Sequence, residues 1–423
     1  MRKAVLFFLF MPVALQAEEF SFDLSTYEKP TYELGGYIEL SASHARLNTD
    51  GALYNTFFSS FPDETTNSQK LANIQVDGLY RLDNSRLHLS YFAQALDNDI
   101  SGDDHDSIVY ELYYTDAHFE HITFDLGKRV QKWGKGYAWN PVGFIERKKD
   151  PNDPELSREG YIMLSGEYLR SFDKPLKTFS LTPVILPVTD NINNDFSGTE
   201  DTNLAARAYL LYRDTDIDFL LLAKGSRAAR LGFDFSRNIS PNFEIHGEYV
   251  YIKDESITQL DTLNVLNTIE KDVKQSLLGV RYLSSHEITW IGEYYHNGAG
   301  YTSSQLQDFY TLASLNFITN PALLSTVQQA IKNGYGNSNP GKDYLYFRAS
   351  GKEPFGWLYY SLGLNSIINI NDNSYSITPE LIYTGFNNTE LRLRATFLEG
   401  ANNSEFGEKI NEEKFELRFR LYF

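Results

Sequence analysis

Residues 415–423 read Phe-Glu-Leu-Arg-Phe-Arg-Leu-Tyr-Phe, a stretch in which two kinds of side chain alternate strictly. One set is apolar (Phe415, Leu417, Phe419, Leu421, Phe423) and the other is polar or amphipathic (Glu416, Arg418, Arg420, Tyr422). Because successive side chains of a strand point to opposite faces, the stretch predicts a two-faced β-strand. A soluble sheet has little reason to finish on a bare aromatic residue such as Phe423.

Seventeen more segments of this type precede the closing one, each about nine residues or longer, which is the length that a tilted membrane-crossing strand needs. We place the eighteen at 34–44, 72–82, 86–96, 108–118, 121–130, 161–170, 177–188, 203–213, 216–224, 228–237, 242–253, 273–283, 287–297, 343–350, 357–368, 374–384, 389–398 and 413–423. Short turns and long loops alternate between them, which is typical of a transmembrane antiparallel β-barrel. The sequence therefore predicts an all-β barrel of about 18 strands, with 16 as the alternative. A periplasmic β-sandwich or propeller is disfavoured because it would not need so many two-faced strands.

The closing strand resembles the C-terminal signal of Gram-negative outer-membrane proteins, which the insertion machinery reads. The resemblance implies contact with outer-membrane lipid and lipopolysaccharide, and recognition of Phe423 by the barrel-assembly machinery. An even strand count puts both termini on the same side, and the short turns indicate that this side is the periplasm.

Composition fits the same class. The apolar stretch behind Arg2 and Lys3 predicts a signal peptide over 1–17, followed by a periplasmic segment over 18–32 and one barrel over 33–423. Mean hydropathy is −0.38 although 15% of residues are aromatic, as expected when each strand has one apolar face and one polar face. There is no cysteine, and the net charge of −18 makes nucleic acid an unsuitable partner. We expect no cofactor and no metal.

The third long loop, 131–160, differs from the rest of the chain because it is basic: Lys128 to Lys149 holds seven Lys/Arg and one acid. A loop of this kind resembles the inward-folded constriction loop of porins. Its Gly-x-x-x-x-x-Trp-Gly…Asn-Pro run also resembles a family of long Gram-negative outer-membrane barrels of uncharacterised function, which implies a conduit and an envelope export system as a partner. The pore-constriction candidates are Arg129, Lys132, Trp133, Lys135, Trp139, Asn140, Arg147, Lys148 and Lys149. The alternative is that the tryptophans anchor at the membrane interface and the lysines face lipopolysaccharide phosphates.

Inward-facing charges form a ladder on the last two strands. The alternation assigns Glu390, Arg392, Arg394, Glu416, Arg418 and Arg420 to the lumen. The arginines could attract anions, as charged rings do in channels. We favour the other interpretation, in which Glu39, Glu390 and Glu416 neutralise them. The same pattern places Arg230, Asp234, Glu244, His246 and Glu248 inside, which predicts a lumen that is polar and mixed in sign.

Smaller signals predict one helix and two irregular strands. Asn320-Pro321, an apolar period of 3.6 and Gly334 predict a short helix over 320–333 in the longest extracellular loop. Pro183 and Pro379 each remove a backbone donor, so we expect bulges or early strand ends there. The favoured function is a channel; a plugged barrel with a structural or export role and, less favoured, an outer-membrane hydrolase are the alternatives. For a hydrolase, His296 beside Glu293 is the candidate to test.

Overall fold

The computed structural model describes residues 30–58, 63–261, 263–315 and 321–423; the signal peptide expected over 1–17 lies outside them. The described residues form eighteen antiparallel strands in one closed sheet. They are β1 (Tyr32–Leu47), β2 (Thr66–Leu82), β3 (Ser85–Asn98), β4 (Gly102–Phe119), β5 (Ile122–Arg129), β6 (Tyr161–Ser171), β7 (Leu176–Val188), β8 (Asp201–Tyr212), β9 (Thr215–Leu222), β10 (Arg230–Ser240), β11 (Phe243–Leu260), β12 (Leu266–Leu283), β13 (Ile288–Asn297), β14 (Asp343–Lys352), β15 (Tyr360–Asn369), β16 (Tyr375–Tyr383), β17 (Thr389–Glu399) and β18 (Asn411–Tyr422). The prediction of 18 strands is confirmed.

The barrel closes where β1 pairs with β18, with Tyr37 opposite Tyr422 and Ser41 opposite Arg418. The terminal Phe423 takes part in this seam, because its backbone N–H and carbonyl both hydrogen-bond to Gly36 at 3.1 Å. Gly36 has a φ of +153°, and a Cβ there would lie 2.1 Å from the carbonyl oxygen of Gln75. Only glycine lets three backbones approach this closely at the seam.

The outward face is apolar, as the alternation predicts. On β18, Phe415, Leu417, Phe419 and Leu421 are each at least 40% exposed, and neighbouring strands present leucine, tyrosine and phenylalanine in the same way. Such an apolar outer band is what a strand barrel needs in order to lie in a membrane. Among the described residues, no helix is long and apolar enough to cross a membrane.

The interior is not uniformly polar, which corrects the expectation of a polar lumen of mixed sign. Near the long-loop end of β6 to β11, the inward side chains are apolar and fully buried. They include Met163, Val184, Leu186, Leu220, Leu222, Val250 and Ile252. They form one hydrophobic cluster with Trp133, Val142 and Phe144 of the third long loop and with Phe309 and Tyr310 of the seventh. This hydrophobic cluster, which we call the dry core, fills one part of the barrel.

The two prolines do not end or bulge their strands, so that prediction is wrong. Pro183 pairs with Ala206 and Pro379 pairs with Leu364. On the other side of each proline the ladder omits two residue pairs and resumes in the same register, for example from Ser165↔Val184 to Tyr168↔Leu181. A proline removes one donor, and a short gap toward a single neighbour is enough to accommodate that loss.

Within the described ranges, three α-helices lie in loops: α1 (Tyr54–Phe58), α2 (Ser303–Ala313) and α3 (Pro321–Ala330). The helix predicted over 320–333 is confirmed as α3, with Asn320 outside the described residues and a π-helical turn over Ile331–Tyr335 after it. Sequence reasoning missed α2, although Thr302 and Gln305 form a capping box at its start. Both α2 and α3 lie in the seventh long loop, where their buried faces cover the dry core.

Candidate functional site

The third loop, residues 130–160, folds into the barrel. Trp133 is 1% exposed, and Ala138, Val142 and Phe144 are fully buried. Trp139 stacks on Tyr295 of β13 with a centroid distance of 5.0 Å. The alternative in which these tryptophans anchor at the membrane interface is therefore wrong, because both side chains face the barrel interior.

Two buried carboxylates of the barrel wall hold the loop by its backbone. Glu248 of β11 accepts hydrogen bonds from the N–H groups of Lys135 (2.6 Å), Gly136 (2.7 Å) and Val142 (3.1 Å). Glu293 of β13 accepts them from Tyr137 (2.5 Å) and Ala138 (2.9 Å). A loop without secondary structure must satisfy its buried donors elsewhere, and the inward carboxylates supply the acceptors.

Glycines allow this close approach. Gly134 has a φ of +93°, and a Cβ on Gly136 would lie 2.1 Å from the carbonyl oxygen of Trp139. Nearby, His246 contacts Glu293 through Nε2 at 2.9 Å and is fully buried. The pattern Trp-Gly-Lys-Gly that marks the loop in sequence is thus explained by the tight turn that Glu248 and Glu293 bind.

Side chains of the loop add further anchors. The Lys135 Nζ lies 2.8 Å from Asp218 and 3.8 Å from Asp234, two fully buried carboxylates on β9 and β10. The Lys149 Nζ donates to the carbonyl oxygen of Gly136 at 2.5 Å and to the Asn140 side chain at 3.0 Å. Loss of hydration on burial lowers the pKa of Lys149.

The tip of the loop reaches the opposite wall. Asp153 Oδ2 lies 3.3 Å from Arg394 of β17 and 3.5 Å from Arg418 of β18. Glu155 lies 3.6 Å from Arg348 of β14. Residues 135–142 are fixed to β11 and β13, so the loop crosses the lumen from one wall to the other.

Every arginine of the ladder has a carboxylate partner. Arg392 pairs with Glu390 (3.0 Å) and Glu380 (3.3 Å), and Arg394 pairs with Glu380 (2.9 Å). Arg418 pairs with Glu416 (2.8 Å), and Arg420 pairs with Glu39 (2.6 Å). This arrangement matches the neutralised interpretation, with Glu380 and Asp153 as partners that the sequence analysis did not name.

The remaining loop candidates divide into paired and unpaired cations. Arg129 pairs with Asp125, and Arg147 pairs with Glu159 at 2.6 Å and with Asp195. Lys132 and Lys148 are exposed and make no ion pair with any residue that the structure describes. Although part of the Lys148 side chain is exposed, protein surrounds most of its ammonium group, and this reduced hydration, together with the nearby charges of Arg227 and Arg230, lowers the pKa of Lys148.

Polar lining is concentrated on the other part of the wall, which we call the wet sector: β1 to β5 and β16 to β18. Its inward residues include Ser41, Ser43, Gln69, Asn73 and Ser90, together with the ladder. A cavity of about 390 Å³ near the short-turn end of this sector is bordered by Asp77, His88 and Glu111. A second cavity of about 300 Å³ lies between the loop tip and the ladder.

The histidine considered for hydrolysis faces outward. His296 Nδ1 lies 2.7 Å from Asp343, whereas Glu293 faces the lumen and contacts His246 instead. Ser276 is opposite His296 in the ladder, but the two side chains share no hydrogen bond among those between described residues. No cluster of three or more His, Cys, Asp or Glu side chains in the described ranges has the arrangement of a metal site.

Comparison with known proteins supports the fold alone. The sequence matches no protein-family model and no curated protein sequence. Among solved structures, Acinetobacter baumannii OccAB1 is similar with a TM-score of 0.55 and 9% identity, over 92% of this chain and 96% of that one. Pseudomonas aeruginosa OccK7 (OpdD) is similar with a TM-score of 0.52 and 8% identity, over 93% of this chain and 98% of that one.

Proposed function

We propose that this chain is a porin-like channel of the Gram-negative outer membrane that passes small polar solutes through the wet sector. The third loop narrows the path, with both chain termini in the periplasm and α2 and α3 at the outer mouth. The observation that carries the proposal is the loop itself, bound to β11 and β13 at one end and to Arg394 and Arg418 at the other.

The physical basis is the division of the interior. An eighteen-strand barrel is wide enough to leave an aqueous channel unless something fills it. Here the third loop and the seventh-loop helices fill the sector lined by apolar side chains such as Leu186 and Val250. Water and polar solutes are then left with the wet sector, where selection depends on the remaining width and on the charges of its wall.

Conductance of the purified chain in planar lipid bilayers tests the proposal. We expect steady ohmic current, and a larger current when residues 134–150 are deleted, because the deletion removes the part of the loop that fills the lumen. Folding is checked separately by heat-modifiable migration in gels. A folded barrel that never conducts would contradict the channel.

A second candidate is a plugged barrel that opens only with an envelope partner. Hydrogen bonds of the ninth loop favour this candidate. Glu408 of that loop accepts a hydrogen bond from the N–H of Ala52 at 2.5 Å, and Glu405 accepts one from the Tyr344 hydroxyl at 2.5 Å. These bonds link the first and ninth loops, which connect strands of the wet sector, to each other and to β14. Absence of current from folded wild-type protein, with current after residues 401–408 are removed, would favour this candidate over the open channel.

A further inference from the structure

We propose that Ser276, His296 and Asp343 form a serine-hydrolase triad on the outer face of the barrel, and that it cleaves acyl esters of membrane lipids. This activity goes beyond the proposed channel, because the three residues lie on the side of the wall that faces away from the lumen. It also differs from a hydrolase built on Glu293, which faces inward and contacts His246.

The three residues form one row across neighbouring strands. His296 of β13 is directly opposite Ser276 of β12 on one side and directly opposite Asp343 of β14 on the other. Directly opposite residues of an antiparallel pair point to the same face of a sheet. That face is the outer one, because the residues two positions away, Leu278 and Tyr294, are exposed on it. The base therefore lies between the nucleophile and the acid, as it does in a triad.

The acid half of the triad is already assembled. His296 Nδ1 lies 2.7 Å from Asp343 Oδ1. The same carboxylate accepts hydrogen bonds from the Tyr294 hydroxyl at 2.7 Å and from the Asn371 side chain at 3.1 Å. These bonds fix the carboxylate that orients the imidazole. A neutral imidazole that donates Nδ1–H to Asp343 has its other nitrogen, Nε2, free to accept a hydroxyl proton.

Ser276 lies within reach of that nitrogen. The Cβ atoms of directly opposite residues are about 4.5–5.5 Å apart. Ser276 shares no hydrogen bond with His296 among the described residues, but its hydroxyl turns about a single bond, so a rotation can close the contact. Catalytic hydrogen bonds often tighten in this way only when substrate binds.

The substrate class follows from the position of the row along β12. Outward side chains between Ser276 and the long loop are charged, whereas those on the other side of Ser276 are apolar. The charged ones are Glu270, Asp272 and Lys274, and the apolar ones are Leu278, Val280 and Tyr282. In a lipid leaflet, ester carbonyls lie between the polar headgroups and the acyl chains. The row is therefore at the depth of the ester groups of a glycerophospholipid, with apolar wall for its acyl chain.

The reaction needs water as its second reactant. His296 Nε2 takes the Ser276 proton while Oγ bonds to the ester carbonyl carbon. The bond from that carbon to the glycerol oxygen then breaks, and His296 gives the proton to the leaving oxygen. Water attacks the acyl-serine in the same manner, which releases a fatty acid and restores Ser276. Lys274 is exposed, makes no ion pair with the described residues and lies two positions from Ser276 on the same face, so its charge can stabilise the developing oxyanion.

Release of fatty acid from phosphatidylethanolamine micelles by the detergent-solubilised full chain tests the proposal. Ser276→Ala and His296→Ala should abolish the release, and Asp343→Asn should lower its rate roughly 10⁴-fold. Ser68→Ala is the matched control and should keep the wild-type rate. Ser68 also lies on the outer face and contacts a histidine, His44, at 3.0 Å, but that histidine has no carboxylate partner among the described residues. Equal release by wild type and Ser276→Ala, or no release by folded wild type, would overturn the proposal.

A measurement on the wild-type chain guards against a folding defect in the variants. A fluorophosphonate bonds covalently to a serine that a neighbouring base activates. Mass spectrometry of the labelled chain should place the adduct on Ser276 and not on Ser68. An adduct on Ser68 alone, or no adduct, would overturn the proposal. Neither measurement depends on conductance, so failure of the triad and failure of the channel are distinguishable.

Discussion

Replacing Glu248 by alanine removes the main anchor of the third loop. Three buried N–H groups, those of Lys135, Gly136 and Val142, would lose their acceptor. A buried donor left without a partner costs about 1–3 kcal/mol. Even the low end gives a sum of about 3 kcal/mol, which shifts the ratio of docked to released loop by roughly a hundredfold at about 1.4 kcal/mol per tenfold.

The predicted result of Glu248→Ala is a larger and noisier single-channel current, together with faster proteolytic cleavage within 130–160. Glu167→Ala is the matched control, because Glu167 also faces inward but binds Ser180 of the neighbouring strand. Both variants must first show heat-modifiable migration. If a folded Glu248→Ala protein keeps wild-type current and wild-type protease resistance, the anchoring argument is refuted.

Three further tests concern the seam, Lys148 and Trp139. Gly36→Val should lower the yield of folded barrel several-fold, because its Cβ would lie 2.1 Å from the Gln75 carbonyl oxygen. Heat-modifiable migration measures the folded fraction. Gly78→Val is a milder control, since a Cβ there meets only the Leu89 side chain at 3.7 Å. The pKa of Lys148 is lowered, so its positive charge is lost at a lower pH than that of an ordinary lysine. Lys148 should therefore react with an amine-specific reagent at a lower pH than an ordinary lysine does, as measured by mass spectrometry of the modified peptide, and reaction only in the ordinary lysine range would contradict the assignment. Trp139→Ala should lower the free energy of unfolding by about 3–5 kcal/mol, because it removes a buried aromatic side chain that stacks on Tyr295, and equal thermal unfolding temperatures of variant and wild type would argue against it.

Periodicity predicted most of the architecture, because the two faces of each strand differ in polarity and so alternate with a period of two along the sequence. It failed where both faces are apolar. Phe219-Leu220-Leu221-Leu222 is an uninterrupted apolar run, and Val184-Ile185-Leu186 is another. Such runs indicate strands buried on both sides, and that signal, used strictly, would have found the dry core. It does not say what covers the inward side.

The site was less accessible to sequence reasoning. The basic, glycine-containing third loop was recognisable, but its anchors are not, because Glu248 follows Gly136 by 112 residues and Arg394 follows Asp153 by 241. An inward carboxylate looks the same in sequence whether it binds loop backbone, as Glu248 does, or neutralises an arginine, as Glu380 does. Only the closed barrel brings these residues together.

Reaction of introduced cysteines during conductance shows which part of the lumen solutes pass through, and we expect them to pass through the wet sector while the third loop closes the rest. The chain has no cysteine, so each introduced thiol is the only one. Ser43 is half-buried in the wet sector, and Val184 is 2% exposed beneath the loop. We predict that a water-soluble methanethiosulfonate reagent lowers the current of Ser43→Cys and leaves that of Val184→Cys unchanged. Equal block of both, or block of Val184→Cys alone, would rule out a path confined to the wet sector.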